Sequence, residues 1–147
     1  LADGAVRASF FTPGIERRRH TLRMPLLARW YAKPSQKTRG IKSCNMGFWR
    51  DDLLMLNGFN EGMTGWGRED TELVTRAFHA GLQRRDLRFS ALATHLYHRT
   101  RKNIVDNPND RILDETRRLG LVRCELGVHQ HLAEFATPPP DVRPASA

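Results

Sequence analysis

Apolar side chains recur at helical spacing along the stretch from residue 69 to residue 81. Leu73, Val74, Ala77 and Phe78 fall on one face of a helix over this stretch. Acidic residues occupy its first turn, and a glycine follows its last turn. Because carboxylates favour the positive end of the helix dipole and glycine commonly ends helices, the pattern predicts a helix here.

Two further stretches carry the same kind of signal. In residues 50–58, acidic residues come first, leucines follow, and Gly58 stands at the end. In residues 107–120, Asn and Asp are available to cap the first turn, and Gly120 can end the last turn. Both stretches therefore predict helices.

A strand or extended segment (41–49) and a strand (87–98) are predicted next to these helices. Residues 41–49 combine β-favouring and small side chains, and residues 87–98 alternate between apolar and polar positions for several residues. Pro25 predicts that the apolar stretch 21–31 is not a continuous helix, and the polar residues 33–40 predict a loop. The order strand, helix, loop, helix, strand, helix is typical of an α/β fold.

The chain has 147 residues, enough for one domain with a core, and carries a formal charge of +8. Its arginines occur in clusters, and arginine presents a planar fork of donors that fits phosphate. Nucleic acid, an anionic membrane surface and a phosphorylated substrate all fit this pattern, as does scattered surface charge. Aromatic residues do not interleave with the basic runs as a base-stacking platform requires, which argues against nucleic acid. The clusters are residues 16–20, 83–88, 98–102 and 115–119.

The number of cysteines bears on the compartment of the protein, and the length of the apolar runs bears on whether it spans a membrane. Cys44 and Cys124 are too few for a disulfide framework, and they predict reduced thiols in a cytoplasmic protein. No apolar run in the sequence is long enough to span a bilayer.

Two adjacent carboxylates, Glu69 and Asp70, begin the clearest predicted helix. The helix dipole and the free N–H groups of a first turn stabilise a carboxylate in its charged form, which suits a proton acceptor. Successive residues diverge by about 100° around a helix, so one carboxylate can face a reacting hydroxyl while the other positions a neighbouring group. Ordinary stabilisation of the helix terminus is the alternative interpretation.

Glycines expose groups that could contact a ligand at two places. Gly65 and Gly67 flank Trp66, so the backbone can turn sharply and the indole can stand clear as a platform for a sugar ring. Asn45 and Gly47 lie in the later part of the first predicted strand, 41–49, where a small-residue turn would let a backbone or amide group approach a ligand. The alternatives are a buried tryptophan under a tight turn and an ordinary connection.

His95 and His98 stand at the end of the second predicted strand. Both can bind one metal ion if the chain turns between them, although further oxygen ligands are needed. One core histidine and one surface histidine is the alternative. A zinc site that also uses Cys44 and Cys124 has no recognised ligand spacing.

An ordered set of motifs over residues 41–100 resembles one enzyme family. The region looks like the C-terminal half of a family 2 GT-A glycosyltransferase, of the type that shares a region with β-1,4-galactosyltransferases. The resemblance implies a mixed sheet with flanking helices and no N-terminal nucleotide-binding half. It divides the chain into a transferase portion (1–103), a helical extension (104–136) and a disordered Pro-rich tail (137–147). The motifs are CNMGFWR, NGFNE, GWGRED, HAGL and HLYH.

The GWGRED motif carries the acceptor side of the chemistry that this resemblance implies. Asp70 would be the catalytic base, and Glu69 would help to hold the acceptor. Trp66, with Gly65 and Gly67, would line a sugar site.

The donor side falls on other motifs. Asn45 and Gly47 would lie near the donor sugar. His98 would be a metal ligand and His95 a second metal contact, for Mn²⁺ or Mg²⁺. The metal would stabilise the leaving diphosphate.

The implied activity is inverting transfer of a sugar from a nucleotide-diphosphate donor, a UDP-sugar, to a hydroxyl of a glycan or lipid-linked acceptor. The expected location is cytoplasmic, with peripheral contact at the inner face of the membrane, in the assembly of a cell-envelope polysaccharide. The family's Asp-x-Asp metal motif does not occur in the sequence, which leads us to expect a piece of a longer enzyme. A basic nucleic-acid-binding domain and an inactive structural remnant are the alternatives.

Overall fold

The structure is a computed structural model of the chain, and it describes residues 22–92 and 106–132. The chain forms two compact units. In the described ranges, residues 22–37 and 83–92 belong to the first unit and residues 38–82 and 106–132 to the second. The helices are α1 (Pro25–Tyr31), α2 (Arg50–Met55), α3 (Glu69–His79) and α4 (Asn109–Leu119), and the strands are β1 (Pro34–Ser35) and β2 (Arg84–Arg85).

The first unit contains α1 and the paired strands. The strands are antiparallel, with Pro34 opposite Arg85 and Ser35 opposite Arg84. Pro25 occupies the first turn of α1, so it begins a helix where the sequence predicted a break. Proline is tolerated there because its fixed φ suits a helix and its missing N–H would have no partner in the helix. None of the helices in the described ranges reaches across a bilayer, since the longest, α3 and α4, have 11 residues each.

Neither predicted strand forms in the described residues, although Met46 and Trp49 keep the extended backbone that was the other expectation for residues 41–49. Residues 43–45 form a turn of 3₁₀ helix, in which the Asn45 N–H donates to the Lys42 carbonyl at 3.0 Å. Residues 87–92 form turns, and Phe89 has a left-handed φ of 67°. Residues 93–98 lie outside the described part. The described sheet is therefore the two-stranded β1–β2 pairing, in a small mixed α/β structure.

The three helices predicted for the second unit are confirmed. Leu73 and Ala77 of α3 and Leu56 after α2 form the buried core, against which Phe48 and Leu53 pack. The predicted apolar face of α3 is thus the face that faces the core. Helix α4 packs against α3 and ends at a left-handed Gly120, with φ of 62°, as its sequence predicted.

Residues 124–129 lie along residues 57–61. The Asn57 side chain donates to the Cys124 carbonyl at 3.0 Å and accepts from the His129 N–H at 2.8 Å. The Glu61 N–H donates to the Leu126 carbonyl at 3.1 Å. Residues predicted as a separate helical extension thus contact the motif NGFNE, while the domain boundary at residue 103 stays a prediction. The tail predicted over residues 137–147 lies outside the described part.

Replacing Gly127 by Ala should destabilise the second unit. An added Cβ would lie 2.0 Å from the Asn57 carbonyl oxygen and 3.0 Å from that of Phe59, and backbone atoms cannot rotate away. We expect a loss of about 1–3 kcal/mol in the free energy of unfolding, measured by urea denaturation. Gly47→Ala is the control, because a Cβ there meets no atom within 4 Å. Equal stability of the two variants would contradict this packing.

Candidate functional site

The loop over residues 62–68 turns sharply into α3. Gly65, Gly67 and Arg68 have left-handed φ values of 80°, 103° and 78°. The side chain of Trp66 between them is 47% exposed. The alternative of a buried tryptophan under a tight turn is therefore wrong, and part of Trp66 is accessible to a ligand.

The start of α4 holds this loop by side-chain amides. The Asn107 Nδ2 donates to the Trp66 carbonyl at 2.9 Å. The Asn109 Nδ2 donates to the carbonyls of Thr64 and Gly67 at 3.1 and 2.8 Å, and its Oδ1 accepts from the Thr64 N–H at 3.2 Å. The loop conformation is thus fixed by hydrogen bonds from a distant part of the sequence.

Arg68 is the N-cap residue of α3, and its backbone carbonyl accepts the first helical hydrogen bond from the Glu72 N–H at 2.8 Å. Its side chain forms an ion pair with Asp110 of α4 instead of capping the helix. Glu69 and Asp70 are the first two residues of the helix proper. Neither occupies the position from which a side chain usually caps a helix.

Both predicted catalytic carboxylates are half-buried. The Thr71 hydroxyl donates to the Asp70 Oδ1 at 3.3 Å. Within residues 22–92 and 106–132, no ion pair involves Glu69 or Asp70. Asp70 thus presents a carboxylate, a group that can accept a proton, in the first turn of α3.

A buried ion pair next to the site was not predicted from the sequence. Glu72 and Arg76 are fully buried, and two parallel hydrogen bonds of 2.8 Å join their side chains. Arg76 also donates to the carbonyls of Leu56 and Gly58, and Glu72 accepts from the Thr116 hydroxyl at 3.2 Å. The signal was present in their i,i+4 spacing beside the apolar face of α3.

The described contacts do not bring the residues predicted for the donor side to the loop over residues 62–68. Asn45 and Gly47 are exposed, and the described hydrogen bonds do not connect Asn45 with residues 62–70. A Cβ at Gly47 would meet no atom within 4 Å, so packing within the chain does not require glycine there. His95 and His98 lie outside the described residues.

No three His, Cys, Asp or Glu side chains converge on a metal site in residues 22–92 and 106–132. Both cysteines are free, Cys44 exposed and Cys124 buried. Burial raises the pKa of the Cys124 thiol, whose Sγ lies 3.6 Å from the Asn57 carbonyl oxygen. Cys124 thus behaves as a small buried side chain, and these contacts give the zinc alternative no support.

A cleft of about 280 Å³ borders the other end of the loop. Asn60 and Gly62 line it on one side, and Thr116 and Leu126 line it on the other. Trp66, Glu69 and Asp70 do not line it. The half-buried Glu69 and Asp70 and the more exposed Trp66 therefore lie outside this cleft.

Comparison with known proteins places this loop within a recognised domain. A family model described as the N-terminal domain of galactosyltransferase matches residues 25–99, just over half of the chain. No curated protein and no solved structure matches. The match supports a galactosyltransferase-like region, but it supports neither family 2 nor the C-terminal placement expected from the sequence. The chain belongs to this galactosyltransferase domain family.

Proposed function

We propose that this chain is the acceptor-binding part of an inverting glycosyltransferase, with Asp70 as the general base. Membership of a galactosyltransferase domain family indicates glycosyltransferase activity, and so a nucleotide-sugar donor and a glycan acceptor. The finer parts of the proposal are a UDP-sugar as donor, a glycan or lipid-linked hydroxyl as acceptor, and a GT-A fold in which this region follows the nucleotide-binding half.

One observation carries the proposal. A half-exposed indole and a carboxylate without an ion pair in the described chain stand four residues apart, on either side of a left-handed turn. An indole face stacks on the apolar face of a sugar ring, and the carboxylate can accept a proton from a hydroxyl of the same sugar. Together they combine acceptor binding with deprotonation.

The proposed step follows from these groups. An acceptor hydroxyl gives its proton to a carboxylate oxygen of Asp70 while its oxygen forms a bond to the anomeric carbon of the donor. The bond from that carbon to the diphosphate breaks, its electron pair leaves with the nucleotide diphosphate, and the configuration inverts. Glu69 points about 100° away around the helix, where it would accept a hydrogen bond from a neighbouring acceptor hydroxyl.

The donor side of the proposal rests on residues with less structural support. Asn45 and Gly47 would lie near the donor sugar, and His98 with His95 would hold Mn²⁺ or Mg²⁺. A bound divalent cation would offset the charge that develops on the diphosphate. A cytoplasmic location with peripheral membrane contact is part of the same proposal, supported by the two free cysteines and the basic clusters.

Acceptor-dependent release of UDP tests the proposed activity. The protein as its gene encodes it is incubated with UDP-galactose and other UDP-sugars, MnCl₂ and a panel of glycan acceptors. We expect the Trp66→Ala variant to raise the acceptor KM about two- to tenfold, because an aromatic stacking contact is worth about 0.5–1.5 kcal/mol. Trp49→Ala is the control, since Trp49 in the same unit is 82% exposed and lies outside the loop.

Each other outcome contradicts the proposal. Equal acceptor KM values for the two tryptophan variants would remove Trp66 from the acceptor site. No UDP release with any donor would favour the inactive remnant. Oligonucleotide binding that falls steeply with salt, without UDP release, would favour the nucleic-acid-binding alternative.

A further inference from the structure

We infer that the first residues of α4 and the turn before it, Asn107 to Asp110, position the loop of Trp66 and the turn of Asp70 for the acceptor. This inference rests on the proposed function. It assigns a role to residues that lie outside the matched family region, which ends at residue 99. Asn107, Asn109 and Asp110 are positioning residues, because they act through Trp66 and Asp70 rather than on the substrate.

Asn109 closes the turn around Trp66. Its side chain is buried, with 2% exposure, and both of its polar atoms are used. The amide exchanges hydrogen bonds with the N–H and carbonyl of Thr64, as a neighbouring strand would, and also donates to the Gly67 carbonyl. It thereby joins the two ends of the segment that presents the indole.

Asn107 fixes the centre of the same turn. Its Nδ2 donates to the Trp66 carbonyl at 2.9 Å, and its Oδ1 accepts from the Asn109 N–H at 3.0 Å. A Cβ on Gly67 would lie 2.8 Å from this Nδ2. Two features therefore require glycine at position 67: its left-handed φ and the close approach of the Asn107 side chain.

Asp110 completes the set at the helix start. Its carboxylate pairs with Arg68, which precedes Glu69 and has a left-handed φ uncommon for a side chain of this size. Both partners are about half exposed, so the pair contributes little to stability. The pair joins the residue before Glu69 to the start of α4, so it adds a second contact between α4 and the segment that leads into α3.

These contacts are separate from those that hold the unit together. The core of Leu56, Leu73 and Ala77 and the Glu72–Arg76 ion pair do not include the 64–67 loop. Loss of the Asn109 amide should therefore release the loop while α3 stays folded. A loop free to move by about an ångström lowers the rate of a reaction that depends on alignment.

The test uses Trp66 as a reporter in a Trp30→Phe, Trp49→Phe background, where it is the single tryptophan of the chain. Asn109→Ala should raise acrylamide quenching of Trp66 fluorescence, up to a limit of about twofold because 47% of the side chain is already exposed. Asn109→Asp keeps the oxygen that accepts from Thr64 and loses both donors, so it should also raise quenching. Asp114→Asn, on the exposed face of α4, is the control.

Quenching equal to that of the Asp114→Asn control would overturn the inference. If Asn109→Ala does not fold, as judged by circular dichroism, Asn107→Ala in the same background decides, since it removes the bond to the Trp66 carbonyl and leaves the buried Asn109 amide in place. Unchanged quenching in that variant would also overturn it.

A kinetic readout separates this inference from the proposed function. In the UDP-release assay, Asn109→Ala should lower kcat/KM for the acceptor about ten- to hundredfold with an unchanged donor KM. An equal loss for donor and acceptor would contradict a positioning role at the acceptor. If the unmodified protein shows no transfer, the proposed function fails, whereas the quenching of Trp66 still decides whether α4 holds the loop.

Discussion

Replacing Asp70 by Asn is expected to lower kcat for sugar transfer by about two to four orders of magnitude, the usual contribution of a general base. Asparagine has the shape of the carboxylate but cannot take the acceptor proton at neutral pH. The fold should survive, because Asp70 is half-buried and takes part in no ion pair within the described chain. The measurement is UDP release at saturating donor and acceptor.

A matched control removes the same charge from another helix start. Asp51 stands in the first turn of α2, and its side chain is 93% exposed. Asp51→Asn should leave kcat unchanged. A loss of kcat seen only in Asp70→Asn would then not be a general effect of removing a carboxylate from a helix start. Near-normal turnover of Asp70→Asn, with an unchanged melting temperature, would remove Asp70 from the role of base.

The helices of the second unit were predictable because their signals are local. The apolar face of α3 and the glycine that ends α4 depend only on neighbouring positions in the sequence. The structure places Leu73 and Ala77 in the core and Gly120 at the helix end, as those signals require. The left-handed turns at Gly65 and Gly67 belong to the same class, since glycine tolerates such values wherever the rest of the chain goes.

The strands were not predictable in the same way, because a strand needs a partner that periodicity does not reveal. Residues 41–49 have β-favouring side chains, yet they contain a 3₁₀ turn and take no part in the sheet of the described residues. The pairing that forms uses residues 34–35, within a stretch whose Pro and polar residues predicted a loop. Pairing between distant residues decided both outcomes.

The candidate site likewise combines local features that the sequence shows with long-range contacts that it does not show. Trp66, Glu69 and Asp70 became candidates through their spacing and the family resemblance, and their roles stay predictions. Nothing in the sequence indicated what holds them. Asn109 contacts Gly67 across 42 positions, and Arg68 pairs with Asp110 at the same separation. Contacts of that range depend on how α3 and α4 pack, which a single sequence does not display. The assignment of His95 and His98 to a metal stays a prediction.

The buried ion pair leads to the largest expected loss of stability. Arg76→Met should lower the free energy of unfolding by about 3–5 kcal/mol, because it leaves the Glu72 carboxylate buried without its cation. It also leaves the carbonyls of Leu56 and Gly58 without the donors that Arg76 supplies. Urea denaturation followed by circular dichroism measures the change.

The comparison with an exposed pair on α4 makes the test specific to burial. Arg117 pairs with Asp114 at 3.3 Å, and their side chains are 49% and 74% exposed. Because an exposed ion pair contributes little to stability, Arg117→Met should change the free energy of unfolding by less than about 1 kcal/mol. The double variant Glu72→Leu, Arg76→Met should be more stable than Arg76→Met alone, because no unpaired charge remains buried. If the double variant were the less stable of the two, the carboxylate would not be the source of the loss. The damage would then come from the unsatisfied carbonyls or from repacking of the core around α3.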